Sequence, residues 1–450
     1  MQLKDKPSIR LALAAASCAL LTDVPDVVAE NGDWDVDFGA LYYQEKDRVS
    51  IVEPVALLTR RFNDEDFVSI RLVNDTMTGA SPNGASVSGD AQQIPVQTST
   101  SASGSTRRGS PVIVEPKTLP VNKFSDQRNA IALDWQKAYS RNFRTIIGSN
   151  FSVENDYKSM GGSVNFQRDT TDKLTTFTLG LSLSLDLVGG RNTSLQSLSV
   201  LTKTRARKSD DDDDGENEGR EEKEDGENER NFFDGDRKWI GDILFGVTQV
   251  VSRRILTQLN YSVGKSSGYL TDPYKIISRI DAETGSTVDY LSEKRPDNRL
   301  RQAIYWKTVF HLPSDVVHIT YRYYWDDWSV TAHTVALKYR LNLGRHFYLM
   351  PSFRYYKQSG ANFFKYSLVN GRTLPSYASA DLRLAPMQSI TQGLKVGYNF
   401  SQDATVSFRV EYMQQWGEKN PSEAVGQQTQ LTLFPRLEVM MYTFSLSMTF

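Results

Sequence analysis

Four histidines, His311, His318, His333 and His346, are the imidazoles of this chain. Imidazoles brought close together bind first-row metals or carry protons. No H-x-H or H-E-x-x-H spacing occurs among them, so they read as ordinary wall and rim residues. A second candidate is the run Asp210–Arg230, with 13 acids against Arg220, Lys223 and Arg230. Inside it, Asp210, Asp212, Asp214, Gly215 and Glu221 satisfy the D-x-D-x-D-G-x5-E pattern of a Ca²⁺ loop. Asn217 holds the position where that loop normally has an apolar residue, and no amphipathic helix flanks it. No cofactor is expected; the run reads as a solvated acidic loop that could still collect Ca²⁺ loosely. No nucleophile elbow, P-loop or dinucleotide fingerprint stands in a sensible context, so the chain is not expected to be an enzyme.

A third set of residues emerges from alternation. Leu179, Leu181, Leu183, Leu185 and Leu187 interleave with Thr178, Gly180, Ser182, Ser184 and Asp186. Val406, Phe408, Val410 and Tyr412 interleave with Thr405, Ser407, Arg409 and Glu411. Period-two writing gives a strand one apolar and one polar face. Extended along the chain, it places Arg322, Lys338, Arg340, Arg354, Lys395 and Arg409 on the polar face of the C-terminal half. Asp134 and Asp186 take that face in the N-terminal half, while the parity of 238–251, and hence of Asp242, stays ambiguous. Opposed charge walls would set a field across a pore and filter polar solutes. Internal salt bridges that merely stiffen the wall are the competing reading.

The elements that must hold these residues follow from composition. The chain has 450 residues, 39% hydrophobic, with 21 Phe, 21 Tyr and 7 Trp, yet its mean hydropathy is −0.45. Outside the leader no run approaches the roughly 18 apolar residues of a membrane helix. Many aromatics, polar averages and strict alternation define an all-β fold, a transmembrane antiparallel β-barrel of about 16 strands with long extracellular loops. Long connections follow odd-numbered strands, and merging 378–400 into one strand brings the count to 16 with both ends periplasmic. The loops at about 76–127, 189–237 and 267–299 are expected to be mobile, being rich in Ser, Thr, Gly, Pro or charge. Tyr442, Phe444, Leu446, Met448 and Phe450 alternate with Thr443, Ser445, Ser447 and Thr449. That pattern is like the C-terminal signal read by the barrel assembly machinery.

Lys4, Lys6 and Arg10 precede the apolar stretch Leu11–Leu21, which is short for a span and reads as a signal peptide cleaved after Ala29. The barrel then occupies 30–450. Lipidation of Cys18 is the alternative, opposed by the poor lipobox Ala15-Ala16-Ser17. Cleavage leaves the mature chain without cysteine, which suits export and excludes thiol catalysis and disulfides. The expected place is the outer membrane of a Gram-negative cell, with no nucleic acid partner.

Tyr43-Gln-Glu-Lys-Asp-Arg48-Val49, Thr78-Gly79-Ala80-Ser81-Pro82-Asn83-Gly84, Ser267-Gly268-Tyr269-Leu270-Thr271-Asp272-Pro273-Tyr274-Lys275 and Asp326-Asp327-Trp328 occur in one chain. Together they resemble the bacterial domain-of-unknown-function 3570 family across roughly 40–450. The resemblance implies an outer-membrane barrel. It further implies association with small lipoproteins and flavin-transfer proteins, and so a link to redox traffic across the envelope. Two functions compete. One is a channel, or a conduit sheathing a periplasmic or lipoprotein partner. The other is a barrel-anchored surface protein whose acidic and Ser/Thr-rich loops bind an external ligand or cation.

Overall fold

The computed structural model describes residues 34–450 except 64, 96–111, 156, 189–197, 199 and 202–235. Sixteen antiparallel strands close into a barrel. They are β1 (Trp34–Glu45), β2 (Val49–Arg61), β3 (Phe67–Pro82), β6 (Val121–Ser140), β7 (Phe143–Val153), β8 (Tyr157–Asp169), β9 (Thr175–Val188), β10 (Asp236–Ser252), β11 (Ile255–Gly268), β14 (Asn298–His311), β15 (Val316–Asp326), β16 (Thr331–Leu343), β17 (Phe347–Gln358), β19 (Met387–Asn399), β20 (Ala404–Gly417) and β21 (Leu437–Thr449). Five short strands lie between them: β4 (Gln92–Ile94), β5 (Val112–Val114), β12 (Ile276–Ile280), β13 (Thr287–Ser292) and β18 (Leu368–Val369). No helix among the described residues is long and apolar enough to cross a membrane, which says nothing against crossing by strands.

Closure comes from β1 pairing with β21, in register from Asp35↔Thr449 to Glu45↔Val439. The outward row of β21 is Tyr442, Phe444, Leu446 and Met448, the residues of the C-terminal pattern, and Phe450 exchanges backbone hydrogen bonds with Trp34. Cross-strand partners share a face, so the registers extend one inward row around the barrel. Large apolar side chains on the other face, such as Leu133, Leu183, Phe245, Leu337, Phe353 and Phe408, are exposed. In water that band would be unsupportable; in lipid it is the solvent-matched surface.

Short turns gather at one end, where non-glycine residues take the left-handed conformation only at single positions such as Lys173. The long connections gather at the other. Residues 378–400 do not form one strand. β19 begins at Met387, just after Pro386, which has no N–H for the ladder. Ala378, Ala380, Leu384 and Ala385 are buried elsewhere, so their even and odd positions imitated a strand while serving a loop core.

Among the described residues, several connections at the long end are folded. The 267–299 segment carries β12 and β13, which pair with each other and with β18. The 76–127 segment contributes strand at both ends and a small pair between them: β3 extends to Pro82, β6 starts at Val121, and β4 pairs with β5. Most of 189–237 lies outside the described residues. One apolar core joins Val87, Leu270, Trp328, Phe363, Phe364 and Phe434 with their neighbours. These come from five different connections, those following β3, β11, β15, β17 and β20. In the closed order β3 and β15 stand on opposite sides of the barrel. A ring of 16 tilted strands is about 30 Å across, so connections that share a core from opposite sides must cross the mouth. We call this unit the cap.

Candidate functional site

Registers settle which side chains face the lumen. Arg322 pairs with Thr334, Lys338 with Ser352, Arg354 with Thr391, Lys395 with Arg409, and Arg409 with Thr443. All therefore share the inward row that continues to Ser445 and Ser447, and Arg340 joins it through Lys338. The six residues named from alternation stand on five neighbouring strands, β15, β16, β17, β19 and β20. His318 also faces inward, beside Lys338. His333 points outward with Tyr323 and accepts or donates at 2.8 Å to Tyr321 Oη. His346 sits in the β16–β17 turn, its Nδ1 2.8 Å from the carbonyl of Asn399. The histidines are spread along the wall and rim, and no cluster of metal-ligating side chains forms among the described residues. Asp210, Asp212, Asp214 and Glu221 lie outside the described residues, as does the leader with Cys18.

The basic wall is built from Arg and Tyr at alternate positions. The Arg322 guanidinium lies 5.8 Å from the Tyr324 ring centre, Arg354 5.7 Å from Tyr356, and Arg340 3.8 Å from Tyr348. Arg340 also donates its Nε to Asn342 Oδ1 at 3.1 Å, whereas for Arg322 and Arg354 stacking on an aromatic face leaves the N–H edge able to meet an anion. The spacing R-x-Y, which puts both side chains on one face of a strand, is visible at 322–324 and 354–356. It is the signal that the charge pattern alone does not use.

The opposite wall is mostly self-neutralised. Asp186 faces inward and ion-pairs with Lys238 at 3.2 Å, both buried, while Tyr157 Oη and Ser159 Oγ donate to it. Asp75 pairs with Arg128, and Asp242, inward after all, pairs with Arg301 at 3.2 Å. Asp134 leans across Gly148. So the field is not that of two opposed walls of equal strength. Salt bridging dominates the N-terminal half. Between the walls β7–β11 carry Ser, Asn and Gly inward, including Asn150, Ser163, Ser182 and Ser184, around a cavity of about 260 Å³.

Above the lumen, the cap encloses a charge cluster that sequence reasoning missed. Arg295 and Glu293 are fully buried and pair at 2.7 Å. Arg295 also meets Asp381 at 3.0 Å, and Arg383 meets Asp381 at 2.7 Å and Asp272 at 3.0 Å. Lys275 donates to the carbonyl of Pro82, tying a third connection to the first two. Burial raises the Glu293 carboxyl. Burial also works upward on Asp381, but Arg383, Lys275 and Arg295 outweigh it and hold that carboxyl well below the ordinary range. Asp272 is likewise lowered, its burial outweighed by Lys275 and Arg383. The six residues come as three local pairs, Asp272 and Lys275, Glu293 and Arg295, and Asp381 and Arg383, far from one another in sequence, so only the folded connections bring them into one cluster.

A closed antiparallel barrel with an exposed apolar belt, a charged inner wall and a mouth crossed by folded connections defines an integral β-barrel protein. The chain belongs to the family described as protein of unknown function (DUF3570), whose model matches residues 10–448. No curated protein matches the sequence. Among solved structures, a bacterial polysaccharide outer membrane secretin is similar at 8% identity and TM-score 0.45, over 94% of this chain and 100% of that one. The siderophore receptor PirA from Pseudomonas aeruginosa is similar at 7% identity and TM-score 0.39, over 93% of this chain and 62% of that one. A loop-deletion form of OmpT, an outer membrane protein of Vibrio cholerae, is similar at 6% identity and TM-score 0.35, over 93% of this chain and 99% of that one. Such likeness is that of one barrel to another and says nothing of cargo.

Proposed function

We infer that the protein spans the outer membrane with its cap outside. On this reading it is a gated conduit for anionic solutes or an acidic partner rather than an enzyme. The observation that carries the reading is the inward basic row. It rises from Arg340 and Lys395 near the short-turn end, through Lys338 and Arg409, to Arg354 and Arg322 beneath the cap. A barrel that only anchored loops would have no use for a graded row of cations along the lumen, in which Arg322 and Arg354 are exposed and Lys395 is buried; an anion moving along the lumen would. The cap supplies the gate, because it crosses the mouth and is held by packing and ion pairs rather than by the barrel ladder.

The folded cap also supports a second reading, a surface interaction protein whose partner binds the cap from outside. Planar-bilayer recording of the purified full chain separates the two. The conduit reading predicts brief openings with anion preference, longer in Arg295→Met, where the cap is weakened. It also predicts that the preference is lost or inverted when Arg354 and Arg409 become Glu. Absence of conductance in both wild type and Arg295→Met would leave the surface reading.

A further inference from the structure

Within the basic row, two members differ from the rest. Arg322 and Arg354 are exposed to the lumen, and no carboxylate among the described residues lies within ion-pair distance of either. Their contacts are the Tyr324 and Tyr356 rings. By contrast, neighbouring Arg299 donates to Asp326 through Nε at 2.8 Å, and Arg301 pairs with Asp242. Glu411, the nearest acid to act on Arg354, leans instead over Gly393 towards Ser352.

Their placement is regular. Each stands four residues below the cap end of its strand, Arg322 on β15 and Arg354 on β17. β16 runs between them, and its inward residues opposite the two arginines are Thr334 and Ala336. The result is a floor of small side chains with a guanidinium on either side. Strands two apart are separated by about 10 Å, and the two-residue offset adds about 7 Å along the strand. Each guanidinium leans towards the tyrosine two positions nearer the cap, and the backbone positions that carry them stand roughly 12 Å apart. Set that far apart on the wall, they are placed to meet two acidic groups rather than one. Tyr324 in turn packs against the cap core, so whatever occupies this place touches the gate.

We propose that Arg322 and Arg354 form a two-point cradle for a chain-like polyanion that presents two acidic groups roughly 12 Å apart, seated on Thr334 and Ala336 directly beneath the cap. This deepens the conduit reading by naming its cargo class, and rests on it only for the direction of approach. Carboxylates on an acidic oligosaccharide and phosphates of a linear polyphosphate share the required chemistry.

The test is equilibrium binding to the full chain in detergent, which does not depend on whether the barrel conducts. The probes are a tetragalacturonate, a linear tetraphosphate, and orthophosphate as the single-group comparison. At least one chain probe should bind ten times or more tighter than orthophosphate, a difference of about 1.4 kcal/mol. Whichever chain probe does so identifies the acidic group. Arg322→Gln and Arg354→Gln should each reduce that probe to the orthophosphate level, since one missing end removes the second contact. Arg322→Lys should retain part of the binding, and Lys357→Gln, on the outward row, should leave it unchanged. Heat-modifiable gel migration confirms that each variant is folded. The cradle is overturned if chain probes bind no tighter than orthophosphate, or if folded Arg322→Gln and Arg354→Gln bind like wild type. Either result leaves the conduit reading to stand or fall by its conductance.

Discussion

Tyr348 lies across Gly397, its direct partner on the neighbouring strand, and a Cβ at 397 would fall inside the ring. The ring is 1% exposed and carries Arg340 on its face. An aromatic laid over a cross-strand glycine covers the bare backbone and fixes the register there. Gly397→Ala must therefore push the ring aside and break the Arg340 stack. The expected cost is about 1–3 kcal/mol, the usual range for overpacking a filled site. It should show as a lower temperature for the heat-modifiable transition, with Gly397→Val lower still; an unchanged transition would mean that the ring has somewhere else to go. At this scale the sequence was half legible. Alternation placed Arg322, Lys338, Arg340, Arg354, Lys395 and Arg409 on one face, because parity needs no tertiary information. It could not say that Asp186 would be consumed by Lys238, because the partner strand carried no clear parity of its own.

Among elements, the strands and the connections followed different rules. Strand pairing is local and periodic, so the short-turn end and the count of 16 were readable from loop lengths and alternation. The cap was not, since its core is assembled from Val87, Leu270, Trp328, Phe364 and Phe434, each in a stretch too polar to suggest burial alone. The 378–386 segment shows the failure most clearly: its apolar residues alternate like a strand, yet Ala378 to Asp381 are buried in succession within the cap. The ion cluster gives this unit its predicted weakness. Arg295→Met leaves Glu293 buried without its ion-pair partner while Asp381 keeps Arg383, and breaking a buried pair costs about 3–5 kcal/mol. Backbone hydrogen exchange in 276–292 should then accelerate at neutral pH while the barrel strands stay protected, and equal protection would show that the cluster does not hold the cap. Acid should act in the same direction. Asp272 and Asp381 titrate below their ordinary value of 3.8, so their contribution is complete above that value and is lost as pH falls through the folded values. Glu293, raised by burial, has the opposite sign. Two lowered carboxyls against one raised predict a cap that loosens below about pH 3.8, read by the same exchange experiment.

The whole molecule is a barrel whose two faces and two ends are chemically distinct. Leu337, Phe353 and Phe408 are exposed on the outside, whereas the inward neighbours Lys338, Ser352, Arg354, Ser407 and Arg409 are charged or hydroxylated. Turns are short at one end and cored at the other. That double asymmetry underlies the claim that the protein crosses the outer membrane with the cap outside and a lumen open towards the periplasm. Two positions report it directly. Thr373 is exposed in the connection between β17 and β19 at the cap end, and Arg345 is exposed in the β16–β17 turn. Removal of a leader containing Cys18 leaves no other cysteine in the chain, so Thr373→Cys and Arg345→Cys each provide a single thiol. A membrane-impermeant maleimide applied to intact cells should label Thr373→Cys at once and Arg345→Cys only after the outer membrane is permeabilised. Labelling of Arg345→Cys but not Thr373→Cys on intact cells would reverse the orientation, and recovery of both variants as soluble protein without detergent would contradict the membrane-spanning barrel itself.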